Sequence, residues 1–310
     1  MITTLLAAAA IAAAPAPASS IIAAGPLKGT LVKPAGPMRA AVLIIPGSGP
    51  TDRDGNNPLG IKANSYRLLA DGLAAKGVAS VRFDKRGLGE SKAAGDGNKL
   101  TIADHANDTR AWIAATRRAT GASCVWLAGH SEGGVVALAS ANSKNVCGLV
   151  LIASPGRKPA TILREQLRAN PANAPLLPQA EAALTSLEAG RRADVSAMHP
   201  ALARGLFNPL VQDFLIDLMR QDPAQLLRSY FGRVLVVSGG RDLQVGKADA
   251  DALAAARPGV TVAAFPAMNH VLKDAPEDKA ANLATYAQAD LPLTAGLVDR
   301  IATFVAQRRR

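Results

Sequence analysis

The chain has 310 residues, of which 49% are hydrophobic and 19% charged. That composition fills one large α/β core with an insertion and excludes a disordered, tail-like protein. A formal net charge of +11 raises nucleic acid or an anionic surface as partners, but aromatics are only 4% and the basic residues are scattered apart from Arg308, Arg309 and Arg310. No nucleic-acid-binding motif occurs, so the charge reads as a basic, solvated surface and no nucleic-acid partner is expected.

Residues 1–18 read as a signal peptide. An apolar run over 5–14 enters Ala14-Pro15-Ala16-Pro17-Ala18, and cleavage is expected after Ala18, although no Lys or Arg precedes the run. The run is short and broken by proline, and no later segment reaches the roughly 18 uninterrupted apolar residues of a membrane span. A secreted or periplasmic protein without stable membrane insertion is expected.

Residues 27–32 resemble an edge strand. The run 40–45 is a buried strand ending at Pro46-Gly47-Ser48-Gly49-Pro50, followed by a polar loop carrying Asp52, Arg53 and Asp54. A helical pattern over 64–76 stops at Gly77, just past its last lysine. The strand 78–83 leads into Asp84-Lys85-Arg86-Gly87, whose Asp84 and Arg86 read as turn scaffolding. The helix 101–120 opens with Thr101 and Asp104, a capping box.

The next stretch organises the rest. An apolar run from Cys124 ends in Gly129-His130-Ser131-Glu132-Gly133, and a helical pattern rich in Ala and Val follows at once. Strand, G-x-S-x-G and helix in that order are the context of a nucleophile elbow. The serine sits on a tight, strained turn that projects its hydroxyl from the sheet, and the flanking glycines leave room for the close approach. Cys147 opens the following strand; if the two strands are parallel neighbours, Cys124 and Cys147 lie side by side at a separation suited to a disulfide, favoured here over two buried thiols.

From 155 to 228 there is no strand pattern, only amphipathic helical segments over 159–169, 179–189 and 209–221, punctuated by prolines. Strands resume at 233–237 and 260–265 with a helix between them, and a helix over 294–307 ends the chain. Alternating buried strands and helices mean a mostly parallel sheet covered on both faces.

Gly129–Gly133, Pro46-Gly47-Ser48-Gly49, Asp84-Lys85-Arg86-Gly87, Gly239-Gly240-Arg241-Asp242 and Asn269-His270 together resemble an α/β-hydrolase of the esterase/serine-aminopeptidase-like branch, over nearly all of 27–307. The resemblance implies an α/β-hydrolase core over 19–154 and 229–310, with 155–228 as a helical cap over the site. Ser131 is the expected nucleophile. Of the four histidines, His130 lies inside the elbow, His105 in a helix and His199 in the cap. Only His270 follows the last strand and completes the order serine, acid, histidine. Asp242, in the turn after 233–237, is the expected acid, whereas Asp217 and Asp222 fall in cap helices.

The oxyanion is expected to meet the backbone N–H groups of Ser48 and Glu132, with Gly49 an alternative to Ser48. Asp52 and Arg53, next to that loop, could bind a polar substrate group or form an internally paired turn. No residue cluster has metal-ligand spacing, and neither metal nor cofactor is expected. The reaction class implied is hydrolysis of carboxylic esters of a small acyl substrate through an acyl-enzyme. An aminopeptidase or acyl-thioesterase would use the same triad, and a non-catalytic ligand-binding protein on this scaffold is the remote alternative. Oligomeric state is not read from the sequence.

Overall fold

The computed structural model describes residues 17–307; the expected signal peptide lies outside them except for its last two residues. Eight strands, β1 (Ala18–Ala24), β2 (Leu27–Lys33), β3 (Ala40–Ile45), β4 (Val78–Phe83), β5 (Val125–His130), β6 (Val146–Ile152), β7 (Arg233–Gly239) and β8 (Thr261–Phe265), form one sheet in the order β1-β2-β4-β3-β5-β6-β7-β8. Only β2 runs antiparallel to its neighbours; every other pair is parallel. The strand over Leu27–Lys33 is therefore not at the edge. β1 covers it, pairing from Ala18 opposite Lys33 to Ala24 opposite Leu27.

Eleven helices follow the strands among the described residues: α1 (Ser65–Ala75), α2 (Ile102–Thr120), α3 (Glu132–Ser140), α4 (Pro159–Arg168), α5 (Leu177–Glu188), α6 (Pro200–Arg204), α7 (Gln212–Met219), α8 (Pro223–Arg228), α9 (Lys247–Ala256), α10 (Lys279–Ala284) and α11 (Leu297–Ala306). The central strands are apolar on both faces because both are covered. Along β5, Val125 and Leu127 pack with Trp112 of α2 and Val136 of α3, while Trp126 and Ala128 pack with Leu69 of α1 and Ile301 of α11. The capping box at the start of α2 is present, with Thr101 accepting from the Asp104 N–H and Asp104 accepting from the Thr101 N–H.

Two features of this topology make the site. After β3 the chain turns to β4 on one side, and β5 then returns to the other side of β3. The loops leaving β3 and β5 therefore diverge and open a crevice at the carboxyl edge, the usual ligand position in such sheets. The insertion over 155–228 has its own apolar nucleus, in which Leu184, Leu187, Leu202 and Phe207 are fully or almost fully buried. Its last helix, α8, belongs instead to the sheet-side core, through Leu227.

Cys124 and Cys147 form a disulfide with Cα atoms 5.2 Å apart. It ties the amino ends of β5 and β6, which are parallel neighbours. No described helix is long and apolar enough to cross a membrane.

Candidate active site

The elbow is built by exclusion of side chains. A Cβ on Gly129 would stand 2.2 Å from the Gly133 carbonyl oxygen, and one on Gly133 would stand 2.3 Å from that of Ile45. Between them Ser131 has φ 53° and ψ −127°, a conformation that costs on the order of 1–3 kcal/mol and is held by the packing of β5 and α3 around it. Its N–H donates to the Ile152 carbonyl at 2.9 Å. Ser131 and Glu132 open onto a cavity of about 770 Å³ between the sheet edge and the insertion.

His270 follows β8 and Asp242 follows β7 at the same edge. The His270 Nδ1 lies 2.9 Å from Asp242 Oδ2 and 3.1 Å from Oδ1. Both side chains are shut away from water, at 6% and 0% exposure, so neither partner is loosened by solvent. The Asp242 carboxylate also accepts from the N–H groups of Gln244 and Val245, at 2.8 and 2.9 Å. Three donors thus converge on this carboxyl group; with Nδ1 donating to it, Nε2 is the ring nitrogen left to accept a proton.

The loop bearing His270 is organised by Asn269. Its buried Oδ1 accepts from the N–H groups of Val271 and Lys273, both at 3.1 Å, while Nδ2 donates to Asn282 and Thr285. His130 joins this loop to the elbow. Its Nε2 lies 2.8 Å from the His270 carbonyl oxygen and its Nδ1 2.8 Å from the Tyr66 hydroxyl. Because the carbonyl can only accept, Nε2 carries the proton and Nδ1 accepts from Tyr66. Tyr66 in turn accepts from the Gly47 N–H at 3.0 Å. Burial, aided by the neighbouring His270, holds His130 down to about 3, and burial pushes the Tyr66 hydroxyl up. Both groups stay neutral, as this chain of hydrogen bonds requires.

The loop after β3 places Ser48 and Gly49 in the cavity wall. Among the described residues, neither the Ser48 N–H nor the Glu132 N–H is given to a protein acceptor. Glu132 begins α3, so its N–H also carries the positive end of that helix dipole. The Glu132 side chain is buried but does not fold back on its local backbone; with Lys85, His105 and Asp108 it lines a second, very small void beneath the elbow. Burial, and then the charge of Lys85, brings His105 down to about 4.

Asp52 and Arg53 are turned to the protein rather than to the cavity. Asp52 Oδ1 accepts from the N–H groups of Asp54 and Asn56, both at 2.8 Å. Arg53 donates from its backbone N–H and Nε to Asp84, both at 3.0 Å, and from Nη1 to Thr30, and it pairs with Glu90. Of the two readings open in the sequence, this geometry is the internally paired turn. Asp84 anchors Arg53, and Arg86 is forked onto Asp108 at 2.8 and 2.6 Å while also lining the cavity. Sequence reasoning missed Tyr66, Lys85 and Asn269. Asn269 left a trace in the Asn-His pair and Lys85 lies within the Asp84–Gly87 motif without a role of its own, but nothing local marks Tyr66.

Comparison with known proteins agrees with this architecture. EstD, an esterase of Thermotoga maritima, is 28% identical over 239 residues, which are 75% of this chain and 54% of that protein, so the chain matches about half of its relative's length. Proline iminopeptidase of Mycobacterium smegmatis superposes with a TM-score of 0.56 at 17% identity, covering 93% of this chain and 99% of that one. Est1E from Butyrivibrio proteoclasticus, solved with ferulic acid bound, does so with a TM-score of 0.55 at 16% identity, covering 92% and 98%. These two likenesses show the fold. The family model described as serine aminopeptidase, S33, matches residues 59–277, and the chain belongs to that family of α/β-hydrolases.

Proposed function

We propose that the protein hydrolyses carboxylic esters of apolar acids through an acyl-enzyme. His270 Nε2 takes the Ser131 proton as Oγ attacks the ester carbonyl, and Asp242 stabilises the imidazolium that results. The oxyanion forms against the N–H groups of Ser48 and Glu132. His270 then protonates the leaving alcohol, and a water, deprotonated by the same nitrogen, releases the acid from Ser131. The buried His270–Asp242 hydrogen bond and the strained, cavity-facing Ser131, at the same edge of the sheet, support these roles.

The observation that carries the choice of substrate is the cap's share of the cavity wall. It is made by Pro155, Pro159, Ile162, Leu163, Gly205, Leu206, Val211, Phe214, Leu215 and Leu218 with Gln166 and Asn208; the acidic residues that line the same cavity, Asp96 and Glu132, belong to the core. An aminopeptidase must receive a free ammonium group, and the cap's apolar share of the wall offers none of the acidic groups that would receive it. Ester hydrolysis is the reading this wall supports, and the esterase name of the Thermotoga relative agrees with it.

We also propose that the protein acts in an oxidising compartment, as a secreted or periplasmic enzyme. The Cys124–Cys147 bridge supports this.

Initial rates on p-nitrophenyl esters of increasing acyl length test the function, with Ser131→Ala and Asp242→Asn run beside the parent. Turnover is expected in the parent, absent in Ser131→Ala, and lowered about 10³- to 10⁴-fold in Asp242→Asn with little change in KM. A folded parent that turns over no ester, or acts faster on aminoacyl amides or acyl thioesters, would overturn the ester assignment.

A further inference from the structure

Lys85 sits in the turn after β4, lines the cavity beside Ser131 and Glu132, and donates from Nζ to the Gly47 carbonyl oxygen at 2.7 Å. Nothing assigned so far uses it. We infer that Lys85 is a positioning residue, aiming the Ser48 N–H at the oxyanion through the Gly47–Ser48 peptide; this rests on the hydrolase reading above.

The argument is geometric. The carbonyl of Gly47 and the N–H of Ser48 belong to one peptide unit, and no cis bond occurs among the described residues. In a planar trans peptide the two groups point in opposite directions. Fixing the carbonyl on Lys85 therefore fixes the line of the Ser48 N–H on the other side of the bond. The preceding peptide is held as well, since the Gly47 N–H donates to the Tyr66 hydroxyl at 3.0 Å. The following one is held through the Ser48 carbonyl, which accepts from Thr51 Oγ1 at 2.8 Å. Gly47 is also closely packed: a Cβ there would stand 3.2 Å from the Ser131 Cβ. Of these restraints only Lys85 is cationic and grips the carbonyl of the very peptide that donates to the oxyanion.

The charge adds to the aim. An ammonium on the carbonyl oxygen draws electron density out of the amide and makes its N–H a stronger donor. It also offsets the buried Glu132 carboxylate, which attracts Lys85 across the small void that both line and would otherwise oppose a second negative charge forming nearby. Burial works against the ammonium and lowers its affinity for the proton, while Glu132 works to keep it. Because the oxyanion exists only in the transition state, the effect of Lys85 belongs in kcat rather than in ground-state binding.

The test is Lys85→Met in the full chain, read with p-nitrophenyl butyrate and two matched inhibitors. One is an alkyl trifluoromethyl ketone, which forms a hemiketal oxyanion on Ser131; the other is the corresponding secondary alcohol, which fills the same space without one. The expected result is a fall of about 10- to 100-fold in kcat, KM within about threefold, and trifluoromethyl ketone affinity falling in step with kcat/KM. Alcohol affinity should stay unchanged. If the Met variant does not fold, Lys85→Gln carries the same expectation, since its side chain ends one atom short and has no charge. Parent-like kcat in a folded variant overturns the inference. So does a common loss of affinity for both inhibitors, which would mean that Lys85 merely packs the cavity wall. A parent that hydrolyses no ester and takes up no trifluoromethyl ketone removes the hydrolase reading itself, and the role of Lys85 with it.

Discussion

The Nε2 of His130, one residue before the nucleophile, donates to the backbone carbonyl of His270, 140 residues further along the chain, at 2.8 Å. Their ring centroids are 4.8 Å apart. Two histidines in contact have different surroundings here: His130 is kept neutral as a strut, and His270, with Nδ1 on Asp242, has the role of general base in the function proposed.

The strut has a consequence for stability against pH. His130 and His105 are held down to about 3 and about 4, whereas both start from 6.5. The unfolded chain thus takes up protons near pH 6.5 that the folded chain refuses. Their contribution is complete above 6.5 and is lost as pH falls towards 4, by about 1.4 kcal/mol per pH unit for each histidine. Urea unfolding between pH 7 and 4 should show this decline, with a shallower slope in His105→Gln. Equal slopes in variant and parent would refute the assignment to His105.

Arg53→Gln is expected to destabilise without changing substrate binding. Arg53 joins Asp84 in a pair whose side chains are 12% and 3% exposed, and removing its charge leaves the Asp84 carboxylate buried without this partner. A loss of about 3 kcal/mol is expected, seen as a lower urea midpoint, with KM for p-nitrophenyl butyrate within about twofold. A large rise in KM at unchanged stability would return Arg53 to the substrate site.

The disulfide should stabilise by roughly 3 kcal/mol, because it closes a loop of moderate length in the unfolded chain. Cys124→Ser with Cys147→Ser, or reduction of the parent, is expected to lower Tm by several degrees while leaving kcat at 25 °C intact. A calorimetric scan with and without reductant checks this, and an unchanged Tm would count against it.

Leu163 stands in the apolar wall contributed by the cap. Leu163→Trp narrows that wall, so kcat/KM should fall for octanoate and longer esters while acetate is spared. Each methylene excluded is worth about 0.8 kcal/mol, or roughly fourfold. A uniform loss across the series would place the acyl chain elsewhere.

The fold was readable because each of its signals is local. Gly129, Ser131 and Gly133 state a turn within five residues, and Thr101 with Asp104 states a helix start within four. The strand at Ala18–Ala24 went unread because it follows directly on an apolar run that resembles a leader. The short helices α6, α8 and α10 were missed for another reason: with five or six residues each they carry too few turns to show a period.

By itself the sequence determined the order of the central strands and the longer helices, the elbow and the order in which Ser131, Asp242 and His270 occur, since these are fixed by short-range patterns and by their succession along the chain. Only the tertiary structure decided what meets what. Placing β3 between β4 and β5 brings the Lys85 amine under the Gly47 carbonyl and the Tyr66 hydroxyl against His130, and it turns Arg53 onto Asp84 and away from the cavity. Those partners are set by sheet order and register over tens to hundreds of residues, and a local pattern carries no record of them.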